Sequence, residues 1–201
     1  MLNCIEQYNV EMLTLKFNSF PVLETERLIL REHALSDADA LFNMRTNEEV
    51  MRFIDRERPK SIEDINTFIT SFNEGFNQGQ HIAWIMALKE APATMIGSIG
   101  YWRTNLANHR AEIGYMLLPA YWRKGIVSEA LVRTIDFGFE EMQLHSIQAN
   151  INPGNDASRQ ILLKHGFVKE AYFKEDYYFN GQFLDSEIYS LLNSKSTILN
   201  T

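Results

Sequence analysis

Apolar and polar positions follow two periods along the chain, and the switches between them mark most of its elements. Leu28-Ile29-Leu30, bracketed by Arg27 and Arg31, reads as a short strand. Ser36 with Asp39 three positions on predicts a helix start in capping-box style, and Ser61 with Asp64 predicts a second. Beyond it Ile65, Phe68, Ile69 and Phe72 recur at helical spacing, so a helix is predicted from Ile62 to Gln78. His81 to Leu88 and Met95 to Trp102 read as strands on either side of a turn around Pro92, and Ala111 to Leu118 as another, ended by Pro119. A helix is predicted from Gly125 to Met142, with Val127, Leu131 and Ile135 on one face. Ser146 to Ile151 then reads as a strand and Asn155 to His165 as a helix. Gly166 fits the left-handed position after that helix, with Phe167 packing back. Asn180-Gly181 is the strongest hairpin signal in the chain, joining Tyr172–Phe179 to Gln182–Leu192. Near the start, Leu13, Leu15 and Phe17 alternate with Thr14, Lys16 and Asn18, which suits a short strand or an apolar flap.

This order of elements predicts an α/β (α+β) fold with a mixed sheet and helices on both faces. It lacks the regular alternation of a doubly wound nucleotide-binding fold. No repeat or linker divides the chain, so residues 22–192 read as a single domain, with residues 1–21 as an N-terminal extension and residues 193–201 as a frayed polar tail. The 201-residue length suits one domain. The balance of 19 Lys+Arg against 26 Asp+Glu gives a net charge of -7, which argues against nucleic acid as a partner. Cys4 is the only cysteine, excluding an intrachain disulfide and a Cys-cluster zinc site. Glu6 and Glu11 interrupt the apolar residues of the amino terminus, unlike a signal peptide, and no apolar run approaches bilayer length. A cytoplasmic location with no membrane partner is the expectation.

Phosphate-loop, dinucleotide, H-E-x-x-H and G-x-S-x-G signatures are missing, and the five histidines show no ligand spacing, so no metal is expected. Three stretches carry candidate chemistry. In Leu118-Pro119-Ala120-Tyr121-Trp122-Arg123-Lys124-Gly125-Ile126-Val127-Ser128 a strand ends and a short basic loop leads into an amphipathic helix. The first amides of a helix lack intrahelical partners and carry the positive end of its dipole, so a phosphate could be held there. Gly125 would allow close backbone approach, and the Ser128 hydroxyl could assist. On spacing alone a plain basic loop with a helix start is the favoured reading of the stretch. Asn155 to Ser158, after the next strand, could be no more than an N-cap and first turn. Glu112 interrupts an apolar strand and so must face solvent, a partner or a cleft; Gly114, also inside it, predicts a bulge or a close backbone approach by another molecule.

The order of these motifs resembles the GNAT superfamily of acetyl-CoA-dependent N-acetyltransferases. The resemblance is carried by Glu112-Ile113-Gly114-Tyr115, Trp122 to Ala130, Asn155-Asp156-Ala157-Ser158 and Lys164-His165-Gly166-Phe167. Leu23 to Arg31, with Tyr178-Phe179-Asn180-Gly181 and Asp185, is similar to the RimJ/RimL branch, which acetylates N-terminal residues of ribosomal proteins. The family implies a mostly antiparallel twisted sheet splayed into a V, with the pantetheine arm of acetyl-CoA in the split. The resemblance assigns backbone contacts with that arm to Met116, Leu117 and Leu118. It gives the pyrophosphate to Arg123, Lys124, Gly125, Ile126, Val127 and Ser128, a cofactor-arm contact to Asn155, and a place near the sulfur to Ser158. The loop departs from the family pattern at Trp122 and Val127, and Arg123 stands where this branch often has glycine. The tyrosine that many relatives use as general acid is replaced by Leu162.

Acetyl transfer to an amine needs a base for the amine, a donor on the carbonyl and a proton for the thiolate. A strand bulge at Met116–Leu117 is expected to aim a free N–H at the thioester oxygen. Glu112 is the first candidate base, acting through water, with Tyr177 and Asp176 in reserve, and Ser158 is the candidate acid. The expected acceptor is a protein N-terminal α-amine, as in a ribosomal protein. The alternatives are a small amine (a polyamine, amino sugar or amino acid) or a non-catalytic acyl-CoA-binding regulatory role. Oligomeric state stays open, a homodimer among the options.

Overall fold

The computed structural model describes residue 13 and residues 15–194 of the chain. Cys4, the alternating Thr14 and the polar tail from residue 195 lie outside the described residues. The strands are β1 (Leu23–Glu24), β2 (Leu28–Arg31), β3 (Ile82–Leu88), β4 (Gly97–Asn105), β5 (Arg110–Leu117), β6 (Ser146–Ile151), β7 (Val168–Phe179) and β8 (Gln182–Leu192). The helices are α1 (Ala38–Thr46), α2 (Glu48–Met51), α3 (Ile62–Asn77), α4 (Ile126–Glu140) and α5 (Asp156–Lys164). The strands form one sheet in the order β1-β2-β3-β4-β5-β6-β8-β7. Every neighbouring pair is antiparallel except β5 with β6.

That exception shapes the molecule. β5 and β6 pair only from Arg110 opposite Ser146 to Glu112 opposite Gln148. Beyond Glu112 β5 stays with β4 while β6 stays with β8, so the sheet opens into a V at this point. Two cores hold its faces. Trp84, Ile99, Tyr101, Ile113, Leu131, Phe137, Ile147 and Leu162 pack together beneath α4 and α5. On the other face Leu41, Met44, Ile65 and Ile69 pack on Ile85, with Phe68 and Met116 alongside. The alternation of β5 thus sends Ile113 and Leu117 one way and Met116 the other.

The Leu13–Phe17 alternation forms no strand among the described residues. Leu15 is buried in the main core with Phe17 and Phe20 against it, and the Trp84 indole donates to the Pro21 carbonyl at 2.6 Å. Ser61 and Asp64 do form a reciprocal cap. Ser36 does not. The chain turns instead on Asp37, whose carboxylate accepts the Ala34 amide at 2.9 Å and both arms of Arg31 at 2.6 and 2.8 Å. The bulge expected on β5 lies on β4 instead, where the register slips between Tyr101 and Arg103. Gly114 pairs regularly with Gly100, and a Cβ there would come within 2.9 Å of the Trp102 indole nitrogen, so this glycine makes room for Trp102.

Candidate active site

The split sheet lines a cleft of about 1280 Å³ reaching from the start of α4 to the segment after α2. Its central wall is the edge of β5 left unpaired by β6. The Leu118 amide donates to the Ile96 carbonyl at 2.9 Å, so it is spent on the β4 side. Antiparallel alternation therefore turns the Met116 amide to β4 as well and leaves those of Tyr115 and Leu117 facing the split. Register is regular at Met116 and Leu117, so no bulge forms there. The free Leu117 N–H follows from the departure of β6. The Leu117 carbonyl accepts the Trp122 indole N–H at 2.7 Å, which anchors the next loop to the end of the strand.

That loop ends at Gly125, whose φ of 75° is left-handed, and α4 begins with no side-chain cap on its amides. A Cβ on Gly125 would meet only the Arg27 Nη2 at 3.6 Å, so there is room around this turn. Arg123 adopts a φ of 59°, a left-handed conformation that glycine takes without strain and other residues seldom do. The loop is clasped from behind. Glu129 accepts the Thr25 hydroxyl at 2.5 Å, the Arg27 amide at 2.8 Å and the Arg27 Nε at 2.6 Å, while Arg27 Nη1 donates to the Lys124 carbonyl at 3.0 Å. Burial pushes the Glu129 carboxyl up, but these hydrogen bonds outweigh it and hold it below the usual carboxylate range. The Thr25–Arg27 segment, 97 residues from the loop at its Arg27–Lys124 contact, thus fixes it. The Ser128 hydroxyl is engaged by His165 Nε2, so its backbone amide is what it offers an anion. Burial, then the charge of Lys164, keeps that imidazole pKa low.

Across the split, the Asn155 Oδ1 accepts the Ser158 amide at 3.1 Å and caps α5. Ser158 is buried, and its Oγ lies 2.7 Å from the Tyr115 hydroxyl of β5. Burial drives the Tyr115 phenol up to about 12, with the Ser158 hydrogen bond pulling slightly the other way, so it stays protonated. Leu162 is fully buried in the main core. The phenol beside Ser158 therefore comes from β5, a partner that sequence reading did not single out.

Glu112 shares the α1–α3 side of β5 with Met116 and pairs with Arg103 at 3.1 Å. Tyr177 donates to Asp55, so it bridges β7 to the segment after α2. Burial, then the Asp55 carboxylate, raises its pKa, which favours the protonated phenol. Asp176 accepts the Ser186 hydroxyl at 2.6 Å. No group of three or more His, Cys, Asp or Glu among the described residues could hold a metal ion. Nor does any helix among them have the length and apolarity to cross a membrane.

A sequence profile described as "Acetyltransferase (GNAT) domain" matches residues 27–168. The chain belongs to the GNAT acetyltransferase family. It is 36% identical over 176 residues to the uncharacterized N-acetyltransferase YoaA of Bacillus subtilis (strain 168), covering 88% of this chain and 99% of that protein. Its fold is similar to that of the ribosomal-protein-S5-alanine acetyltransferase of Vibrio fischeri, with a TM-score of 0.77, 27% identity, and 87% and 98% of the two chains covered. The spermidine N-acetyltransferase of Vibrio cholerae, solved with CoA and spermine, shares the fold at a TM-score of 0.73 and 21% identity, over 84% and 96% of the chains. The chain is thus an acyltransferase of the GNAT type with a mostly antiparallel open sheet, and its solved neighbours include CoA complexes. In this GNAT domain the uncapped α4 amides, the Gly125 turn and the bare β5 edge suit an elongated acyl-CoA.

Proposed function

We propose that this GNAT enzyme acts in the cytoplasm, moving an acetyl group from acetyl-CoA directly to a protein N-terminal α-amine, a reading supported by its likeness to a ribosomal-protein-S5-alanine acetyltransferase. The observation that carries the reading is the split edge of β5. It lies between an uncapped helix start on one side and the Tyr115–Ser158 pair on the other, with Glu112 opening onto the face of α1 and α3. The amides of Ile126, Val127 and Ser128 would take the pyrophosphate, with Arg123 and Lys124 adding charge from the loop. The edge amides of Tyr115 and Leu117 would hold the arm in extended form, and Leu117 N–H would stabilise charge on the carbonyl oxygen. Acetyl-CoA supplies an activated thioester, so the chain itself must manage protons and position.

Glu112 takes the ammonium proton through a bridging water, its Arg103 pair keeping the carboxylate in place. The new N–C bond forms as the C–S bond breaks. Ser158 Oγ–H then donates to the leaving sulfur and takes a proton from the Tyr115 hydroxyl beside it; the phenolate left behind, whose pKa burial holds near 12, regains its proton from solvent as the products leave. An α-amine suits a water-mediated base, because its reference pKa of roughly 7.7–8.0 leaves far more free base at neutral pH than a lysine-type amine near 10.4. The test is thiol release from acetyl-CoA with short N-terminal Ala or Ser peptides against spermidine and free lysine. Faster turnover of the peptides is expected; preference for spermidine would overturn the acceptor.

A further inference from the structure

Three buried polar side-chain atoms among the described residues are recorded without a hydrogen-bond partner: His33 Nδ1, Arg45 Nε and Ser98 Oγ. All three residues line the cleft described above, on the α1–α3 side of the sheet. Buried groups of this kind normally find a partner, and leaving one unmade is costly. His33 and Ser98 are 3% and 1% exposed. Ser98 sits on β4 between Ile85 and Met116, so it shares their face with Glu112 and Gly114. The Arg45 guanidinium lies 4.4 Å from the Phe68 ring centroid, and Phe68 connects through Phe72 to His33 and Trp102. His33, Arg45, Phe68, Ser98 and Trp102 all line the cleft, with Phe72 packed behind them.

The charges there are unevenly committed. Of the carboxylates lining the cleft, Glu112 is paired with Arg103, Asp55 accepts from Tyr177, Asp176 accepts from Ser186, and Glu49 is exposed on α2. Arg45, Arg52 and Arg56 also line it, and no carboxylate lies within ion-pair distance of any of them among the described residues. Arg45 is depressed first by burial and then by the charge of Arg56. An unpaired, half-buried guanidinium pressed by a second is a seat for an anion.

Resting on the α-amine reading above, we infer that Arg45 Nε and Ser98 Oγ form a carboxylate-binding subsite, so that the preferred acceptor carries a carboxylate within a few bonds of its amine. His33 lines the same cleft as a neutral polar group, because burial lowers its pKa to about 4. This chemistry disfavours a polycation and favours a peptide with an acidic residue soon after its N-terminus, or the α-carboxylate of an amino acid.

The test compares initial rates of thiol release for C-terminally amidated tetrapeptides Ser-Asp-Ala-Ala, Ser-Asn-Ala-Ala and Ser-Lys-Ala-Ala, free glutamate and spermidine. Wild type is measured beside Arg45→Gln and the exposed Arg56→Gln. The acidic peptide should exceed its isosteric amide by about tenfold in kcat/KM, chiefly through KM, and this preference should vanish in Arg45→Gln. Arg56→Gln should reduce it several-fold in a protein whose fold that exposed site does not hold, so the result stands even where Arg45→Gln is unstable. Free glutamate outpacing the peptides would support the subsite and assign its anion to an α-carboxylate. Equal rates for the three peptides would overturn the subsite while leaving α-amine acetylation intact. Spermidine outpacing all of them would overturn both.

Discussion

Replacing Gly125 with glutamine separates cofactor binding from folding. Gly125 has a φ of 75°, where an L-residue costs roughly 1–2 kcal/mol. The nearest atom to a new Cβ is the Arg27 Nη2 at 3.6 Å, an ordinary contact, so no steric cost is added within the protein. In a chain of this size each kcal/mol moves Tm by about 2–4 °C, so the variant should melt a few degrees lower and still cooperatively. The new side chain stands at the turn that leads into the uncapped α4 amides, where it would compete with the pyrophosphate. Losing two charge-assisted amide bonds there would weaken binding by about 3 kcal/mol, or roughly 150-fold in Kd. CoA at about a hundred times the wild-type Kd stabilises by about 2.7 kcal/mol, a rise of about 5–11 °C. The same concentration should stabilise the variant by only about 0.3 kcal/mol, or near 1 °C. Differential scanning fluorimetry with and without CoA reads both numbers. A variant that keeps the wild-type rise would refute the placement of the pyrophosphate at this helix start.

Ser158→Ala should lower kcat by about a hundredfold while changing CoA affinity little, because the proton it gives is needed only as sulfur leaves; Tyr115→Phe should lower kcat by about fivefold, and steady-state kinetics with both substrates varied measures each. Glu112→Gln should cost most below neutral pH and recover as pH rises, since solvent then removes the amine proton; wild-type rates from pH 6 to 9 would remove Glu112 from the reaction. Buried His33 has its pKa lowered to about 4, so the unfolded chain binds its proton first as pH falls. Stability should therefore decline between about pH 6.5 and 4 by on the order of 3 kcal/mol. Urea unfolding across that window should show a shallower decline in His33→Gln.

Local rules carried much of the fold from the sequence. Asn180 and Gly181 take φ of 47° and 82° as the hairpin pattern requires, Gly166 takes 82°, and the Ser61–Asp64 cap forms. These signals act within four residues, so a linear reading contains them. Ser36 and Asp39 fit the same local pattern but failed as a cap, because Arg31 and the Ala34 amide recruit Asp37 instead. The site depends on distant pairs. Thr25 and Arg27 meet Glu129, Tyr115 meets Ser158, and Ser128 meets His165, contacts that no period along the chain encodes. The motif order brought Gly125, Asn155 and Ser158 into consideration by resemblance. Tyr115 and Arg45 could be weighed only once the sheet placed them: one beside Ser158, the other lining a cleft with buried unmatched polar atoms.

The most direct measurement of the central claim is the mass of an N-terminal serine peptide incubated with the protein and acetyl-CoA, with fragmentation to locate the modification. The account predicts one acetyl group on the α-amine, formed in step with free thiol and lost in the Gly125→Gln variant. An unmodified peptide under conditions where the protein acetylates spermidine, or an acetyl group on a lysine side chain with the α-amine left free, would contradict it.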